Sequence, residues 1–357
     1  MVISISLCRP ITDTLNLGSN LFQNNLPSEL GNIPALTEIR IHDNTLSGPI
    51  PEEIASKSNL RVLEANMNQF SGGISGSFGA ISTLEILDLS DNSFNGALPD
   101  GLFASASLLE LMLARNNLNG AIAIPEQSFA ALEVLDLSGN AFEGGFDPPN
   151  NLVNLRILRL RDNLFSGEIS LSLALLPLEI LDVANNDFDD VIPPELSLIS
   201  TLRELYLQNN ELTGTIPVAL TALTALQTLD LSFNPLDAQV LAGFATMPSL
   251  KELRMKDCGV TGEIPAEFGS LPVMEILDLS DNGSNFQSSL PFTPDSQSPF
   301  LREMYLSNNQ ITGGIPAGLA NFLALGKCPV YEMIIFVYLM YDVHSRPPLF
   351  HSRPFSY

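Results

Sequence analysis

The chain has 357 residues, 45% hydrophobic and 16% charged, with no tryptophan and 40 Asp+Glu against 16 Lys+Arg, a net charge of −24. That length and apolar content bury a core in one large domain or two ordinary ones and exclude a disordered acidic tail; the charge disfavours nucleic acid and anionic lipid as partners. Three cysteines, Cys8, Cys258 and Cys328, cannot form a disulfide framework.

The chain opens with MVISISLCRP, in which Val2 to Leu7 are modestly apolar and no basic stretch precedes them. This is too short for the core of a secretory signal, so residues 1–11 read as an incomplete N-terminal repeat or cap remnant. From 12 to 326 the chain repeats itself. Aligning L-x-x-L-x-L-x-x-N puts the last position on Asn20, Asn44, Asn68, Asn92, Asn116, Asn140, Asn163, Asn186, Asn210, Asn234, Cys258, Asn282 and Asn309, about 13 units of 23 to 27 residues. Each unit predicts one short strand. In LEILDLSDN (Leu84 to Asn92), Leu87 and Leu89 face inward by the two-residue period, and stacked units make a parallel sheet over a continuous leucine core. The Asn sits where the chain turns inward, because its amide both donates to and accepts from buried backbone. Cys258 does part of this with a weak donor and reads as a ladder residue rather than a nucleophile or ligand.

A second signature follows the Asn in TLSGPIP (Thr45 to Pro51), ELTGTIP (Glu211 to Pro217), GVTGEIP (Gly259 to Pro265) and QITGGIP (Gln310 to Pro316). The Gly relieves restriction at a turn, and Ile-Pro forces an extended segment that cannot join a ladder. L-x-x-L-x-L-x-x-N-x-L-(S/T)-G-x-I-P resembles the plant-type leucine-rich repeat family, which includes receptor-like kinase ectodomains and polygalacturonase-inhibiting proteins. The resemblance covers about Thr12 to Leu325. It implies an α/β repeat solenoid, a right-handed horseshoe with a parallel β-sheet on the concave face and a mostly irregular or 3-10 convex side. It also implies residence at the cell surface or outside the cell. Cysteine-paired caps, a signal peptide, a membrane span and kinase motifs are not visible, so the chain reads as a fragment or a member lacking its caps. Two units are worn: PLDAQVL (Pro235 to Leu241) lacks the Gly and Ile-Pro, and NFQSSLPFTPDSQSPF (Asn285 to Phe300) is expected to loop off the side of the solenoid.

Residues 327–357 form a tail. VYEMIIFVYLMY (Val330 to Tyr341) is apolar but contains Glu332 and is shorter than the about 20 residues of a span. It reads either as a buried strand or helix covering the last repeat or as a misread or truncated terminus. HSRPPLFHSRPFSY, from His344, has no periodicity and is expected to be disordered.

Side chains six, four and two places before the Asn point out of the concave sheet, with those seven and one before it at the margins. Of the 16 cations, 11 fall there: Arg40, Arg61, Arg115, Arg156, Arg159, Arg161, Arg203, Lys251, Arg254, Lys256 and Arg302. Lys57 lies in the repeat body between strands and is expected to be dispensable for binding. The row seven before the Asn alternates Glu133, Arg156, Glu179, Arg203; four before, Asp136, Arg159, Asp182, Tyr206. With strands about 4.8 Å apart, each Arg is expected to stand between two carboxylates, contributing about 0.2 to 1 kcal/mol a pair. A curved sheet with outward Arg and Tyr suits a large ligand, so Arg159, Arg161, Tyr206, Arg254, Lys256 and Tyr305 are the candidate contacts. Val62, Ile86, Val134, Ile157, Ile180 and Ile276 add an outward apolar stripe, which half-buried packing against neighbouring side chains explains at least as well as ligand contact. Arg161 faces Ser138 and Ala184 rather than carboxylates, with Asp162 its nearest partner, which makes it the first of the arginines to mutate.

The inventory argues against catalysis and cofactors. His42 is the only histidine in the repeat body, and Asp88, Asp136, Asp182, Asp230 and Asp278 recur on repeats too far apart to share calcium. Those aspartates are expected to partner the arginines between them. The one N-x-S/T sequon, Asn282-Gly283-Ser284, uses a ladder Asn and is a poor glycan acceptor. The sequence therefore points to a non-catalytic module binding a protein or peptide on its concave face, with a secreted inhibitor of a wall-degrading enzyme, or a structural or adhesion protein, as alternatives.

Overall fold

Successive strand residues face opposite sides, so Leu84, Leu87 and Leu89 bury completely while Ile86, between them, is only half-buried. In the computed structural model, which describes residues 13–283, 286–296 and 298–319, such strands make one sheet of 13 parallel members in chain order, from Thr14–Asn16 to Glu303–Tyr305. Register advances by whole repeats: Leu135 pairs with Leu158, and Leu158 with Leu181. The inward leucines form one continuous apolar core from Leu26 to Leu301. Short 3-10 turns such as Ser28–Asn32, Leu171–Leu175 and Val218–Ala222 make the opposite side. This is the repeat solenoid that the period predicts.

The ladder amides bind neighbouring repeats to one another. Asn163 donates to the carbonyls of Leu137, Leu160 and Arg161 at 2.9 to 3.2 Å and accepts from the Phe142 N–H at 3.1 Å. Asn68, Asn116 and Asn210 repeat this pattern. At Cys258 the thiol donates to Met255 at 3.1 Å, and the Leu236 N–H turns to the Asn234 carbonyl at 2.8 Å.

The repeat signature predicts one strand per unit, but the early units have two. Eight further parallel strands, from Gln23–Asn25 to Asp187–Phe188, form a second sheet just after the ladder position. There Phe70, Phe94, Phe142, Phe165 and Phe188 bury, and neighbouring rings stack with centroids 6.2 to 6.3 Å apart. The glycine four places after the Asn lies at or next to the end of the strand, with φ of 76° to 87° at Gly48, Gly72, Gly96, Gly120, Gly144 and Gly167, a conformation costly for other residues. Beyond Phe188 the sheet breaks up: Val191 and Thr213 make a single bridge, and Ala238–Gln239 pairs only with Val260–Thr261. Pro235, with no N–H to donate, directly follows Asn234 here.

The insertion after Asn282 does not leave the solenoid as expected. Phe286 and Phe292 bury in the core and Phe286 bridges to Gly262, because two aromatic side chains outweigh the polar residues around them. The expected remnant 1–11, the tail 327–357, Cys8 and Cys328 lie outside the described residues.

Candidate ligand-binding face

Charge on the concave sheet is organised around shared carboxylates. Glu179 takes Arg156 at 2.8 Å and Arg203 at 3.5 Å, and Glu275 takes Lys251 at 3.5 Å and Arg302 at 3.7 Å. Arg61, between Glu38 and Glu85, has the arrangement expected of every arginine. The others differ because a guanidinium on an extended stem leans to one neighbour, so Arg156 reaches Glu179 rather than Glu133.

Residues two apart on a strand share a face, and this produces pairs within single strands. Arg254 meets Glu252 at 2.6 Å, the Tyr206 hydroxyl donates to Glu204 at 3.1 Å, and the Tyr305 hydroxyl to Glu303 at 3.0 Å. Burial, reinforced by Glu204, pushes the Tyr206 phenol up to about 12. The aspartates do not chiefly serve the arginines. Asp88, Asp136, Asp230 and Asp278 each accept from the backbone N–H of the serine two places on, at 2.9 to 3.0 Å, which closes the turn after the strand. The recurring Asp-Leu-Ser was the signal for this. Asp182 has Ala184 in the serine's place, and burial pushes its carboxyl up to about 6 against the pull of Arg161 and Arg159.

Strand Ile157–Arg159 and the turn after it position the first two candidates. Arg159 stands 3.8 Å from Asp136, and Arg161 is 3.3 Å from Asp162, with side chains 44% and 52% exposed in that pair. Both guanidiniums therefore keep donors facing solvent. Tyr206 lies two strands further on, Arg254 two beyond that, and Tyr305 two beyond Arg254. Six spacings of about 4.8 Å spread the six residues over about 29 Å. The structure brings Arg159 to Arg161 and Arg254 to Lys256 but draws no single pocket around all six.

Phe233 joins this face and was missed. Its ring is 42% exposed and Lys256 Nζ lies 5.7 Å above it, while Lys256 also meets Asp281 at 3.1 Å. The position before the ladder residue is left-handed throughout, and Phe233 takes φ 57° where most repeats place Asp, Asn, Ser or Gly. An aromatic at a position of that composition was the available signal. Val62, expected in the outward stripe, is buried, whereas Ile86, Val134, Ile157, Ile180 and Ile276 stay half-buried.

Lys57 is not a free surface cation. It is buried, with Nζ donating to the Ile33 carbonyl at 2.6 Å, and burial lowers its pKa. The Cys258 thiol, pushed up to about 12 by burial, sits nine strands from His42, about 43 Å along the sheet. Among the described residues no three His, Cys, Asp or Glu side chains group to hold a metal, and no helix is long and apolar enough to cross a membrane. The Asn282 amide nitrogen donates to Met255, Leu279 and Ser280 carbonyls.

The Leucine Rich Repeat family model matches residues 83–104, 177–198, 249–271 and 300–322, and a two-copy leucine-rich repeat model matches 200–243. No curated protein matches the chain. Solved structures do. A plant peptide hormone receptor, RGFR1 in complex with RGF2, shares 27% identity at a TM-score of 0.79, over 87% of this chain and 50% of that one. PEPR1 with AtPEP1 shares 30% at 0.77, over 86% and 50%, and the TDR receptor shares 28% at 0.80, over 91% and 55%. The chain thus spans about half the length of these structures.

Proposed function

Because the chain is a leucine-rich repeat protein whose solved likenesses include the plant peptide hormone receptor RGFR1 and the TDR receptor, we propose that it is a non-catalytic recognition module at the cell surface or outside the cell. Its ligand is an extended peptide or protein segment laid along the concave sheet. The observation that carries this reading is the pair Arg159 and Arg161, two residues apart at the middle of the face, each with guanidinium donors left over after its ion pair. Such a pair forks onto a carboxylate with charge-assisted hydrogen bonds. Tyr206, Phe233, Arg254, Lys256 and Tyr305 continue the contact along the about 29 Å that a peptide of about nine extended residues covers. The peptide-complexed likenesses, RGFR1 with RGF2 and PEPR1 with AtPEP1, support an occupant of that kind.

The test is selection from a randomised library of synthetic peptides of about 12 residues against the immobilised chain. Enriched peptides are expected to carry a carboxylate, and Arg159→Glu with Arg161→Glu is expected to weaken the best binder at least about thirtyfold, about 2 kcal/mol. Arg115→Glu, at the margin and engaged by Asp91, should leave binding within about twofold. Equal loss in both variants, or none in either, removes the concave face from the account.

A further inference from the structure

The convex turns depart from their own pattern in one place. Eight and twelve places after the ladder position, surface residues are Ser28 and Asn32, Glu52 and Ser56, Asp100 and Ala104, or Ala266 and Ser270 in other repeats. In three adjacent turns, Leu171–Leu175, Pro194–Leu198 and Val218–Ala222, the same places hold Leu171, Leu175, Pro194, Leu198, Val218 and Ala222. Leu171, Leu175, Leu198 and Val218 are 54%, 61%, 67% and 69% exposed. A groove of about 320 Å³ lies beside Leu175 and Leu198, lined also by Val153, Leu176, Ile199 and Thr201 among others. Single exposed leucines are ordinary, but two stacked apolar rows with a groove alongside one of them mark an interaction surface.

Charge identifies the partner. The convex segments that carry the patch, 141–155, 163–178, 186–202 and 210–226, contain eight Asp or Glu, Glu168 and Glu195 among them, and no Lys or Arg. A second copy with net charge −24 would be repelled. Successive rows lie one repeat apart, about 4.8 Å or a little more on the outside of the curve, close to the about 5.4 Å pitch of an α-helix. An apolar helical stripe laid along the solenoid therefore keeps step with three rows. We propose that this convex patch docks an amphipathic helix of a partner protein, its apolar stripe flanked by Lys or Arg.

The probe is a labelled synthetic Leu/Lys peptide of about 18 residues with one apolar face, compared with a scrambled peptide of the same composition, both titrated with the full chain by fluorescence anisotropy at about 150 mM salt. The amphipathic peptide is expected to bind at least about tenfold more tightly than the scrambled one. Leu175→Asp with Leu198→Asp should bring the two together. Leu198→Gln, with an unchanged circular dichroism spectrum, should weaken the amphipathic peptide about threefold, which separates lost contact from lost fold. Equal binding of the two peptides, or no change in any variant, would leave only net-charge attraction and overturn the proposal. Self-association in sedimentation velocity that the double variant abolishes would overturn it in favour of a second copy.

Discussion

The repeats ending at Asn20 through Asn186 and those ending at Asn210 through Asn282 share one concave sheet but carry different structure behind it. In the first group the residue two places past the Asn donates its N–H to the next ladder amide, as Phe142 does to Asn163, and a left-handed residue follows two places on, glycine from Gly48 to Gly167 and Asn24 and Asp190 in the two end repeats. In the second group Leu212 and Val260 still donate in this way and Gly214 and Gly262 are still left-handed, but Pro235 has no N–H, Cys258 offers no amide to Leu236, and Ala238 stands where the glycine would be; the second sheet is reduced here to single bridges and an isolated pair. The concave register passes through unchanged, Tyr206 opposite Asp230 and Asp230 opposite Arg254. Inward leucines and strand hydrogen bonds therefore suffice for the concave sheet, while the second sheet is interrupted around Asn234, where Pro235, Ala238 and the amide-less Cys258 coincide. The candidate residues Tyr206, Phe233, Arg254 and Lys256 lie in front of the interrupted stretch.

The largest expected effect tests the ladder itself. Asn163→Cys removes the acceptor for Phe142 and most of the donors to three carbonyls, and should cost about 3 to 4 kcal/mol in urea unfolding. Cys258→Asn should change stability by less than about 1 kcal/mol, because the Leu236 N–H is already satisfied at 2.8 Å. Comparable magnitudes in the two groups would break the distinction. Glycines give the reverse ranking. At Gly259, φ 68°, a Cβ would lie 2.0 Å from the Leu236 carbonyl, so Gly259→Ala should cost about 2 to 3 kcal/mol. At Gly167, φ 82°, a Cβ meets open space, and Gly167→Ala should cost only about 1 kcal/mol of backbone strain, read by thermal unfolding.

A smaller effect than that of the ladder is one of pH. Because the Asp182 carboxyl is raised from 3.8 to about 6 on folding, the folded state holds its proton more tightly than the unfolded chain. Its stabilising contribution is complete below about pH 4 and is lost as pH rises through about 6. Asp182→Asn should therefore raise stability at pH 7.5 by about 1 to 2 kcal/mol and flatten the profile between pH 5 and 7.5. Asp230→Asn should gain less, because Ser232 already supports that carboxylate through its hydrogen bonds. A larger gain at Asp230 would show that the missing serine at Ala184 is not what distinguishes the two repeats.

The candidate site was legible in part. Arg159, Arg161, Tyr206, Arg254, Lys256 and Tyr305 were visible as outward positions of a counted repeat, because strand alternation converts position into face. Phe233 was not, since its place lies at a left-handed turn whose side chain direction the alternation rule does not give. The pairing also escaped the sequence. Opposite charges on adjacent strands name the possible partners, but Glu204, Glu252 and Glu303 on the residues' own strands proved the nearer ones. Lys57 was placed in the repeat body between strands, but nothing local shows that its stem folds inward to the Ile33 carbonyl.

The sequence by itself determined the repeat length, the leucine core, the asparagine ladder and the order of strands, because each depends on residues within one period. Only the tertiary structure decided where the second sheet stops, how the insertion at 285–300 returns Phe286 and Phe292 to the core, and which turns raise Leu171, Leu175, Leu198 and Val218 into one patch. Those features arise from contacts between repeats, where backbone donors, ring stacking and neighbouring side chains meet across the stack, and one period does not contain them.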